Sequence, residues 1–185
     1  MTEALRVTLY RAAWVLPVAA APIRDGVVMV GADGRIAAVG PRAAVEPPEG
    51  AEVVELGMAA LMPGLVNVHA HPELALYRGA LEDLRFRDWI LRLVGSKRAA
   101  LVDADYDVAA RWTAVESLRA GITTMAATEM SAAGFGALLE AGMRGVVYRE
   151  VFGPDPAQVD ESMADLRQAV DGLRARATDL VHVGI

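Results

Sequence analysis

Two histidines one residue apart, His69 and His71, end the run Leu65-Val-Asn-Val-His-Ala-His. In an extended strand, residues two apart point the same way, with Cα atoms roughly 6.6 Å apart. Two imidazoles at that spacing can converge on one metal ion at about 2.0–2.1 Å each. Leu65 and Asn67 are expected on the histidine face, and Val66, Val68 and Ala70 on an opposite, small apolar face suited to packing under helices. A lone strand histidine is more often a packing or surface residue. Here Pro63-Gly64 turns the chain into an apolar run and the pair stands at its exit, where parallel barrels place catalytic groups. Metal ligation is therefore the reading for His69 and His71.

Other side chains have two readings each. Tyr148 and Glu150 share a strand face opposite Val147, Arg149 and Val151. If that face is interior, Glu150 reaches a substrate; otherwise it is a solvated or Arg-paired carboxylate. Glu129, just past another strand, either lines a pocket or is a solvated loop acid. Trp89 falls on a helix with Phe86, Ile90 and Leu93, where its simplest role is a core contact.

The elements that must position these groups change character near residue 60. Before it lie short strands and turns. Leu5, Val7 and Leu9 alternate with Arg6 and Thr8. Residues 26–30 and 35–40 flank an Ala32-Asp33-Gly34 hairpin turn, and 51–56 offers one more strand. This is a β meander, and its glycines match no dinucleotide fingerprint because no helix pattern follows them. The apolar stretch 12–23 superficially resembles a secretory core, but Glu3 lies in the would-be basic region and Pro17 interrupts the run. No run reaches the ~18 apolar residues of a membrane span.

Beyond residue 71, strand and helix alternate. Asp103 is expected to cap a helix whose Val108, Trp112, Val115 and Leu118 form one apolar stripe and which Gly121 stops. Strands follow at 122–127, 146–148 and 180–185, with a short helix around Phe135 to Leu139. A further helix carries the stripe Val159, Met163, Leu166, Val170 and Leu173. Such alternation implies βαβ units and a parallel sheet. Only four strands can be counted from Leu65 onward, whereas a closed (β/α)₈ barrel needs eight and about 250 residues. The expectation is half a barrel, truncated within its fourth strand.

Composition narrows the function classes. The chain has 185 residues, 54% of them hydrophobic, enough for a real core. A net charge of −6, with basic residues scattered among acidic ones, gives no electrostatic case for nucleic acid; a small-molecule partner fits better. The absence of cysteine excludes disulfides and thiolate metal sites and fits a cytoplasmic protein.

The run Leu61-Met-Pro-Gly-Leu-Val-Asn-Val-His-Ala-His71, then Arg78-Gly79, then Glu82-Asp-Leu-Arg-Phe-Arg-Asp-Trp89, resembles the amidohydrolase superfamily. Within it, the sequence looks like the aminohydrolase and chlorohydrolase branch, which includes adenosine-type, aminofutalosine, guanine and triazine deaminases. The resemblance implies a small β-sandwich over residues 1–61 and the first half, about four βα units, of a TIM-type barrel over 62–185. It also implies a single zinc ion, or alternatively iron(II), with His69 and His71 as its first two ligands. The family's further ligands and its general acid/base come from later strands. His182, the third histidine, sits near the start of its strand, low in such a barrel, and is read as structural. Trp89 resembles the family's aromatic wall near the substrate. The acid that binds ribose in some nucleoside-processing relatives has no counterpart in Gly95-Ser96-Lys97-Arg98.

The implied reaction is metal-assisted hydrolysis of a C–N bond, with water activated by the metal and attacking an electron-poor ring carbon that bears an amino or halide leaving group. A chain with no proton shuttle is expected to be inactive alone. The competing expectation is a non-catalytic scaffold that pairs with itself or with a complementing C-terminal half through its open barrel edge.

Overall fold

The computed structural model describes residues 6–151 and 155–185, and the side chains of these except 97–100. Glu3 and Leu5, and the side chains of Lys97 and Arg98, lie outside the described residues. The chain divides into two compact units, Met1–Pro63 and Gly64–Ile185.

In the first unit, strands β1 (Thr8–Val15), β2 (Ile23–Val30), β3 (Ile36–Pro41), β4 (Glu52–Glu55) and β5 (Ala60–Leu61) form one sheet. Its order is β3-β2-β1-β4, with β5 also pairing β1. The β2–β3 connection turns at Gly34 (φ +75°), which the expected hairpin needed, and Asp33 Oδ1 accepts the Arg35 N–H at 3.0 Å. The stretch that resembled a secretory core instead carries β1 on to Val15. Val15 packs where Gly26 has no side chain, only 2.6 Å from the place a Cβ would take. Leu9, Val27 and Val45 form the buried core of one face. The other face is apolar too: Tyr10, Val28, Val30 and Val39 help line a 350 Å³ hollow. Among the described residues the strands of this unit all belong to that one sheet.

The second unit is a four-stranded parallel sheet in the order β6-β7-β8-β9: β6 (Leu65–Ala70), β7 (Ile122–Glu129), β8 (Arg144–Arg149) and β9 (Val181–Gly184). Helices α1 (Phe86–Ala100) and α2 (Asp103–Arg119) connect β6 to β7. Helix α3 (Ala133–Glu140) joins β7 to β8, and α4 (Val159–Arg174) joins β8 to β9. Met125, Ala127, Val147 and Val181 bury one sheet face against Phe135, Leu138 and Leu173 of the helices. Met125, Val147 and Val181, each fully buried, contribute about 1.5–3 kcal/mol apiece.

Three expectations fail here. The α2 stripe is exposed, with Val108 61%, Trp112 56%, Val115 48% and Leu118 41% accessible, while Ala109, Ala110, Ala114 and Ser117 are buried. Small residues let the helix lie close to its neighbours, so the larger side chains turn outward. Asp103 is not the cap: Val102 holds that position, and its N–H is accepted by Asp105 Oδ2 at 3.0 Å. Val66 and Val68, expected under helices, are 60% and 78% exposed because β6 is an edge strand with no helix over that face.

Candidate metal centre

The histidines owe their placement to an irregular strand. Between its pairings with Met125 and Ala127, β6 uses Asn67 to Ala70, one residue more than β7 uses over the same stretch. The His69 N–H donates to Asn67 Oδ1 at 3.1 Å within that bend. Asn67 and Ala70 thus both pair with buried-face residues, so Asn67 does not simply share the histidine face as strict alternation predicts. The two imidazoles nevertheless meet, with ring centroids 5.0 Å apart and planes at 86°. His71 ends the strand, and its carbonyl accepts the Leu74 N–H at 3.0 Å to start the turn Pro72–Tyr77.

From β8 the next functional group arrives. The Glu150 N–H donates to the Glu129 carbonyl at 3.0 Å, continuing the ladder one residue past the strand. The Glu150 carboxylate stands with Oε2 4.0 Å from His71 Nδ1, both side chains being partly buried. Among the described residues no set of three His, Asp or Glu side chains converges as a cation site. The pair of neighbouring imidazoles fits zinc or iron as two of its ligands, since imidazole suits both metals.

Trp89 and His71 line one hollow of about 400 Å³, with Leu74, Tyr77, Arg78 and Thr113. The Trp89 ring stacks on Phe86 at 6.0 Å and 24°, and Phe86 itself is 76% exposed. Trp89 is therefore half-buried beside a histidine, in place of the core contact with Phe86 that helix periodicity predicts. Arg78 donates two bonds to Glu116, at 2.9 and 2.7 Å.

Glu129 is neither a solvated loop acid nor a pocket wall. It is fully buried, and its oxygens accept the N–H groups of Gly134 at 2.6 Å and Phe135 at 3.2 Å. These are unpaired donors in the first turn of α3, so Glu129 caps a helix that has no cap of its own. Burial pushes its carboxyl up to about 7, with Glu73 adding to the rise and the two N–H groups and Arg149 opposing it. A Cβ at Gly134 would lie 2.5 Å from Glu129 Oε2, so a side chain there would displace the carboxylate.

Sequence reasoning passed over Glu73, which is 2% exposed and accepts the Ser131 hydroxyl at 2.5 Å. Its signal was an acid directly after His71-Pro72 in an otherwise apolar stretch. His182 pairs with Val146, four residues before Glu150, and so sits low on the sheet, as its place in the strand implies. A hollow of about 940 Å³ lies elsewhere, lined by Arg111 of α2, Gly136 and Glu140 of α3 and Asp165 and Gln168 of α4.

Residues 60–185, which include both histidines, match the sequence model of the amidohydrolase family. The chain belongs to that family. It is 34% identical over 151 residues to a 5-methylthioadenosine/S-adenosylhomocysteine deaminase of Nitratidesulfovibrio vulgaris, an alignment covering 80% of this chain and 34% of the relative. An adenosine deaminase of Xanthomonas campestris with bound zinc superposes with a TM-score of 0.81 at 26% identity, over 96% of this chain and 42% of that one. A zinc-complexed atrazine chlorohydrolase of Arthrobacter aurescens gives a TM-score of 0.80 at 20% identity, over 96% and 46%, and shows likeness of fold. The chain spans about a third of the length of the curated relatives it matches. Membership makes this a hydrolase family chain, and its mixed α/β architecture is that of family structures. Among the described residues no helix is long and apolar enough to cross a membrane.

Proposed function

We propose that this chain is the N-terminal portion of a metal-dependent aminohydrolase that removes an amino group from an aminated, purine-type heterocycle by hydrolysis. The observation that carries the reading is the His69–His71 pair, with rings 5.0 Å apart at the C-terminal end of the first parallel strand, inside the family-matched region. Deaminase relatives support the reaction type, and the zinc bound by the adenosine deaminase of Xanthomonas campestris supports zinc as the metal.

In this reading His69 and His71 are two of the ligands of one ion, and Trp89 walls the hollow that His71 opens onto. Bound zinc supplies Lewis acidity, activating water and polarising the ring carbon. The aromatic face of Trp89 orients a flat heterocycle by stacking. Asn67 holds the His69 backbone, and the turn begun by His71 fixes where its ring leaves the strand.

The remaining ligands and the proton shuttle belong, on this account, to elements that relatives carry beyond the matched region. A longer polypeptide or a complementing half would supply them and close four strands into a barrel. The exposed Val66 and Val68 support that, being apolar residues on an edge strand. The same exposure favours a second reading, a non-catalytic scaffold that associates through β6, as a homo-oligomer or with a partner half. A cysteine-free chain supports a cytoplasmic setting for either.

Ammonia release from adenosine-type and other aminated heterocycles decides between them. The 185-residue chain alone is expected to release none. A form completed by the missing strands is expected to turn over in a zinc-dependent way and to lose activity on His69→Ala or His71→Ala. A completed form that binds zinc and turns over no aminated heterocycle would leave the scaffold reading.

A further inference from the structure

The Glu150 carboxylate has a histidine for its neighbour. The Glu150 backbone is pinned at the sheet rim by the N–H bond to the Glu129 carbonyl at 3.0 Å. The preceding Arg149 donates to the Ser131 carbonyl at 3.0 Å. Among the described residues, the ionisable group facing the Glu150 carboxylate is His71, whose Nδ1 lies 4.0 Å from Oε2. That is about 1 Å beyond a hydrogen bond, a gap that one side-chain torsion or a bridging water closes. Nδ1 is the ring nitrogen that faces the acid, which leaves Nε2 directed elsewhere. Ligating histidines almost always give their other N–H to a carboxylate or carbonyl, which fixes the tautomer and the ring plane.

We propose that Glu150 is a positioning residue: its carboxylate accepts the Nδ1–H of His71 and holds the Nε2 lone pair toward the metal. This rests on the reading of His69 and His71 as metal ligands. It withdraws Glu150 from direct substrate contact and makes β8 a supporting strand for the ligand carried by β6.

The test reads the imidazole itself. Nitrogen-15 spectra of the metal-free 185-residue chain, taken about two pH units above the ordinary histidine pKa, distinguish the two neutral tautomers. His71 is expected mainly as the Nδ1–H form in the wild type. In Glu150→Ala it should move toward the Nε2–H form, and Glu150→Gln, which keeps an acceptor oxygen, should restore much of the wild-type population. Zinc affinity, measured by chelator competition, should fall about 10- to 100-fold in Glu150→Ala and recover in part in Glu150→Gln. An Nε2–H tautomer in the wild type, or one that Glu150→Ala does not change, would overturn the proposal. So would an unchanged zinc affinity in Glu150→Ala when His71→Ala abolishes binding. If His69→Ala and His71→Ala both leave zinc binding intact, the ligand reading fails, and a tautomer that still responds to Glu150 shows that the acid holds His71 regardless.

Discussion

The Glu129 carboxylate accepts the N–H of Gly134 at 2.6 Å inside the protein, five residues along the chain and across the junction from β7 to α3. A strand end thereby caps the helix that follows it. Replacing Glu129 with Ala leaves two buried backbone donors without an acceptor, at about 1–3 kcal/mol each. Thermal unfolding of Glu129→Ala should show a clear loss, and an unchanged transition would remove the capping role.

The same carboxyl makes stability depend on pH. Its folded pKa, about 7, lies above its ordinary 4.5, so the folded state holds a proton that the unfolded chain releases first. That contribution is complete below about pH 4.5 and is lost as pH rises through 7, by on the order of 3 kcal/mol. Denaturant unfolding across pH 4.5–8 should therefore show a decline that Glu129→Gln flattens.

Gly134→Ala is a sharper probe of the same contact. Its methyl group would lie 2.5 Å from Glu129 Oε2 and 3.3 Å from Pro72 Cγ, so the carboxylate must move off its donors. A destabilisation of about 1–3 kcal/mol is expected, whereas Gly136→Ala, with open space around its Cβ position, should be tolerated.

The inversion of α2 gives a contrast between two substitutions. Val108→Ser, on the exposed stripe, should change the stability of this chain by no more than about 0.5 kcal/mol. Ala114→Leu, on the buried face, should cost about 1–3 kcal/mol by overpacking. Equal effects at both positions would contradict the placement of the helix.

Much of this architecture was legible because it is written in local periodicity. The hairpin turn at Gly34 and the stop at Gly121 lie where spacing alone placed them, and of the α4 stripe Leu166, Val170 and Leu173 are buried while Val159, in the first turn, is exposed. The α2 face was misread because hydrophobicity was weighed without size: alanines pack closest to a sheet, and Val108 and Trp112 are left outside. The bend at Asn67 was invisible because the extra residue shows only in pairing with β7. Glu129 and Glu73 were misjudged or missed because burial of an acid depends on donors from other segments, here Gly134, Phe135 and Ser131.

The most direct measurement is a zinc titration of the nitrogen-15-labelled 185-residue chain, with all three imidazoles followed at once. The account predicts that His69 and His71 shift together to an end point of one zinc per chain, that His182 stays still, and that dialysis removes the ion readily, since the coordination is incomplete. Either single alanine substitution should abolish the paired shift. Movement of His182 in step with the others, or no response at His69 and His71 at saturating zinc, would contradict it.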